Sequence, residues 1–379
     1  MVYHPPLLLH RRGTGCKHQQ QRRKRSMAKK TLKVGLIGVG GIAGDQHLPY
    51  WKELAAEGRA EIVATCDIIP ERARRGVEEF GAQKAYLSYK KMLKENAFDV
   101  VDVCTQNRWH CPMTVDALEA GANVLCEKPM AMNVGECQQM IGAATTFKKK
   151  LMIAQHMRFE PANEKLKEVV DRGTLGTIYT ASARYLRRRG IPGWGKFHIK
   201  KESLGGPMID IGVHVLDLAV WLMGCPRPVA VSGKVYRKFG DRPDLENGEW
   251  GRGYPPKEFD VEDYAVAFVR FENDATMMVD VSWAANIPEE MYGVMILGDK
   301  AGVSTNPLAV SGYEQGALLS TRFDWVQKDD GHRREIRHFT ECLEENKPVR
   351  VQPVESLQIQ KIIDAVYLSS RRNREVVIK

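Results

Sequence analysis

The sequence predicts an α/β protein in two parts: a dinucleotide-binding domain on a parallel sheet, then a second α/β domain with antiparallel strands. Three observations predict it. From Leu32 onward, short apolar runs alternate with amphipathic stretches at the spacing of strands joined by crossover helices. The first run ends in a glycine-rich turn, Gly38-Val39-Gly40-Gly41-Ile42-Ala43. After Met157 the pattern changes, and strands are joined by short turns such as Asn273-Asp274, which favour antiparallel pairing. A length of 379 residues suits two domains, expected over 31–156 and 157–379.

Residues 1–30 stand apart. The net charge of +9 first suggests nucleic acid, but nine of the 56 basic residues lie in 1–30, which has no acidic residue. The remaining 47 basic residues balance the 47 acidic ones, so the body is neutral and no nucleic-acid partner is expected. Residues 1–30 read as a disordered basic extension. Because Met27 opens a second sensible start, residues 1–26 are expected to be an over-called start or a cloning remnant, ahead of a transit peptide. No apolar run reaches about 18 residues, so no membrane partner is expected. The eight cysteines are scattered singly with no C-x-x-C spacing, which is the usage of a reducing cytosol. A cytoplasmic location follows as an expectation, and no metal site is legible.

In the first half, strands are expected at 33–37, 61–66, 84–86, 100–104, 123–126 and 151–154. Helices are expected at 42–57, 70–80, 89–95, 112–119 and 134–147. The G-x-G-x-x-A run follows a strand and opens a helix, the context in which Gly38 makes the tight turn and Gly40 admits a pyrophosphate. Ala43 lets the helix pack on the strand, and Gly41 and Ile42 begin the helix whose N-terminus meets the negative charge. Asp67, 29 residues beyond Gly38 at the end of the second strand, is placed to bond a ribose diol and to repel a 2′-phosphate. NAD is therefore expected ahead of NADP, with Arg72 as the residue that would soften the preference. Ligands bind outside the carboxyl ends of parallel strands. The fourth strand ends in Cys104-Thr105-Gln106-Asn107-Arg108-Trp109-His110, and the fifth in Glu127-Lys128-Pro129. Lys128 is either a solvated lysine or a ligand-facing one, and its position favours the second.

In the second half, a helix is expected at 161–171 and strands at 177–186, 229–236, 264–271, 275–282, 292–297 and 302–304. Two closing helices are expected at 332–346 and 354–370. Between the first two strands runs Gly205-Gly206-Pro207-Met208-Ile209-Asp210-Ile211-Gly212-Val213-His214-Val215-Leu216-Asp217. If it is one helix from Pro207, Asp210 and His214 share a face and can share a proton or hold one hydroxyl, with Asp217 a turn further. The alternative is a core helix whose histidine is satisfied by its own aspartate. The loop before it, residues 185–198, carries Arg187-Arg188-Arg189, Trp194 and His198. It offers either a clamp for polar groups with an aromatic face for a sugar, or a solvated basic turn.

The fingerprint, Asp67, Glu127-Lys128-Pro129 and the run from Gly205 to His214 together resemble the glucose–fructose oxidoreductase / inositol dehydrogenase / MocA (Gfo/Idh/MocA) family, over roughly residues 31–379. Phe259-Asp260-Val261-Glu262-Asp263 and Ser282-Trp283 are similar to its second domain. The resemblance implies an N-terminal Rossmann domain and a C-terminal domain with a large, open-faced, mostly antiparallel sheet that makes homodimers or homotetramers. It implies that Lys128 bonds the reacting hydroxyl, that His214 is the general base and that Asp210 orients substrate or His214. Glu127 and Pro129 would shape the nicotinamide pocket, with a Lys128–Pro129 bond that is often cis. Thr105, Asn107 and His110 would line the dinucleotide. Arg158, Arg187, Arg188, Trp194 and His198 would join Asp210 and His214 on the substrate. Gln106, Gln155 and His156 depart from residues usual in relatives.

The function expected is NAD-dependent hydride transfer at a hydroxyl-bearing carbon of a sugar, polyol or glycoside, with a lean towards glycoside C3 from the arginine-rich loop. Two alternatives use the same chain differently: net glycoside cleavage through transient C3 oxidation, and a dinucleotide-binding regulator without chemistry.

Overall fold

The computed structural model describes residues 30–245, 247 and 253–379. The expected basic extension lies outside them except for Lys30. Six strands, β1 (Leu32–Ile37), β2 (Ala60–Cys66), β3 (Lys84–Tyr86), β4 (Val100–Val103), β5 (Asn123–Glu127) and β6 (Leu151–Ala154), form a parallel sheet in the order β3-β2-β1-β4-β5-β6. The chain leaves β1 towards β2 on one side and returns at β4 on the other. A crevice therefore opens where β1 and β4 end, the place such sheets hold ligands. Helices α1 (Leu48–Ala56), α2 (Pro70–Glu78), α3 (Tyr89–Glu95), α4 (His110–Glu119) and α5 (Val134–Thr146) connect the strands. The expected helix over 42–57 opens instead with a π-helical turn at Ala43–His47, which carries His47 inward.

After α6 (Pro161–Asp171) the chain builds a nine-stranded sheet, in the order β14-β13-β12-β11-β7-β10-β9-β8-β15. Its strands are β7 (Ile178–Leu186), β8 (Pro228–Tyr236), β9 (Tyr264–Phe271), β10 (Thr276–Ser282), β11 (Met291–Gly298), β12 (Ala301–Thr305), β13 (Leu308–Glu314), β14 (Ala317–Arg322) and β15 (Val376–Val377). Every pair is antiparallel except β7 and β10, which run parallel because β10 inserts beside β7 after the β8–β9 hairpin. The β13–β14 hairpin was not anticipated: β14 is exposed along its whole length, so it has no buried face to create an apolar pattern.

The segment between β7 and β8 holds α7 (Lys200–Ser203), α8 (Pro207–Asp210) and α9 (Gly212–Leu222). The single helix expected from Pro207 is broken at Ile211, and the stretch 200–210 meets α9 at 49°. Gly212 has no side chain to hold a continuous turn against the break. Ahead of it, a Cβ on Gly206 would lie 1.9 Å from the Glu262 carbonyl oxygen, so only glycine permits this approach.

Helices α6, α9 and α11 (Pro353–Arg372) bury one face of the second sheet. The other face is open, with Met278, Met295 and Tyr236 exposed around half-buried Val266 and Phe268. Although the expected division at 156/157 separates the two sheets, α10 (Gly331–Glu344) crosses back and buries Ile336, Phe339 and Cys342 in the first core. No single helix among the described residues is long and apolar enough to cross a membrane.

Arg158 is a structural residue of the second half. Expected on the substrate, it is fully buried instead, with Nε and Nη2 each donating at 2.7 Å to the Asp217 carboxylate and Nη1 bonding Glu355. Burial alone would lower its pKa, but the Asp217 carboxylate outweighs that and keeps the guanidinium charged. The same pair takes Asp217 out of the catalytic stripe. Removing one partner of a buried ion pair costs about 3–5 kcal/mol. Arg158→Met is thus expected to lower the free energy of unfolding by that amount, read by circular dichroism as a lower urea midpoint at an unchanged m-value.

Candidate active site

The glycine turn has the shape a dinucleotide needs. Gly38 has φ +91°, and a Cβ there would sit 2.5 Å from the Cys104 carbonyl oxygen. Over Gly40 a Cβ would meet nothing within 4 Å, which leaves open space for a pyrophosphate. Ala43 is fully buried against the sheet, as its small size requires. Asp67 braces this turn: Oδ2 accepts from the Val39 amide at 2.8 Å and Oδ1 from the Ile69 amide at 2.9 Å. Its carboxylate still has lone pairs for a ribose diol. The Thr105 hydroxyl is buried with no hydrogen-bond partner, on the crevice side of β4. These features fit NAD, which Gly38, Gly40, Gly41, Ile42, Asp67 and Thr105 would hold. Arg72 is exposed on the first turn of α2.

Beyond β5, Lys128 meets the second domain. Its Nζ donates to the Asp210 carbonyl oxygen at 3.3 Å and lies 3.5 Å from Asp210 Oδ1. Trp283 Nε1 donates to Asp210 Oδ2 at 2.9 Å and fixes the carboxylate from behind. Asp210 therefore serves Lys128. Of its two expected roles, orienting substrate or His214, the second has no hydrogen bond behind it: the carboxylate oxygens lie against Lys128 and Trp283. His214 Nδ1 is buried and has no hydrogen-bond partner. Burial, and after it the Lys128 charge, holds the His214 pKa well below the usual histidine value. The ring is neutral at physiological pH, as a general base must be.

The bond before Pro129 is cis, as the resemblance implied. The loop residues expected on the cofactor have mostly internal partners. His110 is fully buried, with Nδ1 2.7 Å from the Pro129 carbonyl and Nε2 3.0 Å from the Thr105 carbonyl, so it ties the two strand-end loops together. Asn107 Nδ2 donates at 2.8 Å to the Ser203 carbonyl and locks the crevice to the second domain. Of the arginine run, Arg187 lies within electrostatic reach of His214 and bonds the Gly190 carbonyl and the Tyr185 hydroxyl. Arg188 is exposed, with its amide bonded to Glu290, and Arg189 turns to Ala285 and Asn286. Trp194 is 57% exposed on the loop. His198 does not join Lys128; it is buried in a stack on Tyr254, with ring centroids 5.0 Å apart.

Sequence reasoning missed the groups behind Lys128. His47 Nδ1 lies 2.8 Å from Asp102 Oδ2, and Nε2 lies 3.0 Å from Glu127 Oε1. Trp51 Nε1 also donates to Asp102 at 2.7 Å, and Glu127 Oε2 accepts the Lys128 amide at 3.0 Å. Burial opposes charge on His47, yet the Asp102 carboxylate outweighs it and raises the pKa well above the usual value. Burial likewise opposes the Glu127 charge, and the His47 bond and charge bring its pKa down to about 2. An imidazolium between two carboxylates thus holds the backbone of Lys128. Asp102, His47 and Cys104 offer ligand-type atoms within 4.8 Å of one another, but these bonds already occupy both His47 nitrogens. His156 was flagged only as a departure. It lies edge-on to His214 at 5.0 Å and stacks on His332 of α10 at 3.9 Å. No spacing links residues 47, 127 and 332, so their meeting leaves no local signal.

A family model described as "Oxidoreductase family, NAD-binding Rossmann fold" matches residues 32–155, and one described as "GFO/IDH/MocA C-terminal domain" matches residues 163–304. The chain is 34% identical over 356 residues to the D-glucoside 3-dehydrogenase of Escherichia coli, covering 93% of this chain and 99% of that protein. It is 28% identical to the levoglucosan dehydrogenase of Pseudarthrobacter phenanthrenivorans, over 79% of this chain and 78% of that one. The solved oxidoreductase domain protein from Kribbella flavida shares the fold with a TM-score of 0.81 at 23% identity, over 92% and 99% of the two chains.

The lowered His214 pKa has a consequence for pH. A base is competent above its own pKa, so the acid limb of kcat/KM for hydroxyl oxidation is expected below the ordinary histidine value of 6.5. Initial rates measured across the acid range should stay level down to about pH 6.5. A halving at or above that value would mean that His214 is not the neutral base.

Proposed function

The chain belongs to the Gfo/Idh/MocA oxidoreductase family, and from that premise we propose that it is an NAD-dependent dehydrogenase of sugar, polyol or glycoside hydroxyls, with a glycoside oxidised at C3 as the leading substrate. One observation carries the reading. A lysine from the dinucleotide-binding domain and an aspartate from the second domain meet at 3.5 Å, beside a neutral buried histidine. Similarity along 93% of the chain to a protein named D-glucoside 3-dehydrogenase supports the choice of substrate.

Bound in the crevice, NAD supplies the hydride acceptor. The chain does the rest. His214 takes the hydroxyl proton as the carbon loses hydride, and the Lys128 ammonium stabilises the developing alkoxide through a charge-assisted hydrogen bond. Asp210, pinned by Trp283, keeps the ammonium aimed at the substrate. Glu127 and the His47 network hold the lysine's backbone, so the ammonium needs no rearrangement when charge develops. The Asp67 carboxylate favours NAD over NADP, whose 2′-phosphate it repels.

Two further assignments belong to this reading. The open face of the nine-stranded sheet, with Met278, Met295 and Phe268, is the self-association surface of a homodimer or homotetramer. The seven described cysteines are free thiols, six of them buried, which supports a reducing, cytoplasmic location.

A panel of sugars, polyols and glycosides, run with NAD and with NADP, tests the activity; sustained NADH release with NAD is expected. NADH that fails to accumulate while glycoside is cleaved would favour the cleavage mechanism instead. Lys128→Ala and His214→Ala are expected to bind NADH normally by fluorescence yet lose turnover by about 100-fold or more. Near-normal turnover would remove that residue from the chemistry. In light scattering the protein is expected as a dimer or tetramer, and Met278→Glu, a charge on the open face, is expected to shift it to smaller species. A monomeric parent would refute the surface assignment.

A further inference from the structure

We propose that the cleft beside His156 is a second binding subsite, which takes the neutral, hydroxyl-rich ring attached to the sugar being oxidised. The proposal rests on the glycoside reading of the catalytic site and deepens it from a monosaccharide glycoside to a disaccharide-sized substrate.

The cleft has a volume of about 510 Å³, within the range of roughly 300–1,000 Å³ common for small-molecule sites. It lies at the end of β6, between His156 and Glu160, the start of α6, Phe323 after β14, and the segment from Lys328 to His332. Strand order sets its place relative to the reaction. Asp67 follows β2, the glycine turn follows β1, Thr105 follows β4 and Lys128 follows β5; β6 is one strand further out. None of the cleft's residues is assigned to the dinucleotide, and its link to the site runs through His156. His156 is the shared wall. Its ring sits edge-on to His214 at 5.0 Å, and it stacks at 3.9 Å on His332, which also lines the cleft. A ring held at His214 therefore has its neighbour on the far side of one imidazole.

The lining selects the chemistry. Glu160, Asp329 and Asp330 bring three carboxyl groups to the lining beside the Lys328 ammonium, with Asp329 paired to Arg333 and Arg334 and Asp330 accepting the His332 and Arg333 amides, so charge there is close to balanced and suits a neutral ligand. Carboxyl oxygens are strong acceptors for hydroxyl groups. Burial, and after it Asp330, pushes the Glu160 pKa up to about 7, so near neutral pH this group both donates and accepts. The two stacked imidazoles and half-buried Phe323 give apolar faces suited to the C–H face of a pyranose. Donors, acceptors and flat apolar walls around a neutral space describe a sugar ring.

The test compares methyl α- and β-D-glucopyranoside with maltose and cellobiose, by NADH release, in the parent protein and two variants. Phe323→Ala removes an apolar wall. Because Phe323 also packs on the second core, Ala162→Phe, which fills the cleft from the start of α6, gives an independent reading. Both variants are expected to lower kcat/KM for the preferred disaccharide by about tenfold or more and to leave the methyl glucoside within about twofold. Equal losses on both substrates, or no loss with a folded Ala162→Phe protein, would overturn the subsite while leaving the dehydrogenase reading intact. No NADH from any glycoside with the parent protein would overturn that reading and the subsite with it.

Discussion

The contact between the Lys128 ammonium and Asp210, reaching across two domains that each fold around their own sheet, organises the molecule. The two groups stand 3.5 Å apart and are largely buried. The contact's value is positional, and both partners are held by buried neighbours. Glu127 fixes the lysine's amide and is fixed in turn by His47; Trp283 fixes the aspartate. The broken helix belongs to the same constraint. The helix turns at Ile211, between Asp210, which meets the lysine, and His214, whose Nδ1 has no hydrogen-bond partner.

Around this contact the interior separates its ionisable groups by charge state. Arg158 with Asp217 and Glu355, and His47 with Asp102 and Glu127, are buried as charged clusters in which every charge has an opposite neighbour. His214 and His156 are buried neutral, because burial is the largest influence on each and, at His156, outweighs the opposing Glu127 and Asp330 charges. Glu335 is buried with both carboxyl oxygens unpartnered, and burial raises its pKa well above the usual value, so it carries its proton. Charged clusters hold geometry and neutral groups remain able to take a proton. The same physics, applied to different neighbours, separates scaffold from chemistry.

Two helices at the end of the chain make the domains one unit. α10 enters the first core through Ile336 and Phe339 and carries His332 to the site, with Asp330 capping its first turn. α11 covers the second sheet and, through Asp364, accepts the Val134 amide at the start of α5. The site thus draws residues from both sheets and from α10, and the far face of the second sheet is left as an uncovered apolar surface.

Periodicity and local motifs by themselves determined the parallel sheet, the dinucleotide turn at Gly38–Ala43, Asp67 at the end of β2, Lys128 at the end of β5 and the chemistry-bearing run around Asp210 and His214. Each is a matter of residues near one another in the chain, where turn geometry and side-chain period act directly. Tertiary structure alone decided the partners. Arg158 and Asn107 read as site residues, but their polar groups bond Asp217 and the Ser203 carbonyl, each more than 50 positions away, and the His198 ring stacks on Tyr254. His47, His156, His332 and Trp283 came to the site through packing of distant elements, which leaves no trace in spacing. Folding satisfies most buried polar groups, and which distant group does so depends on how the sheets and helices close, a property of the whole chain and of no short stretch of it.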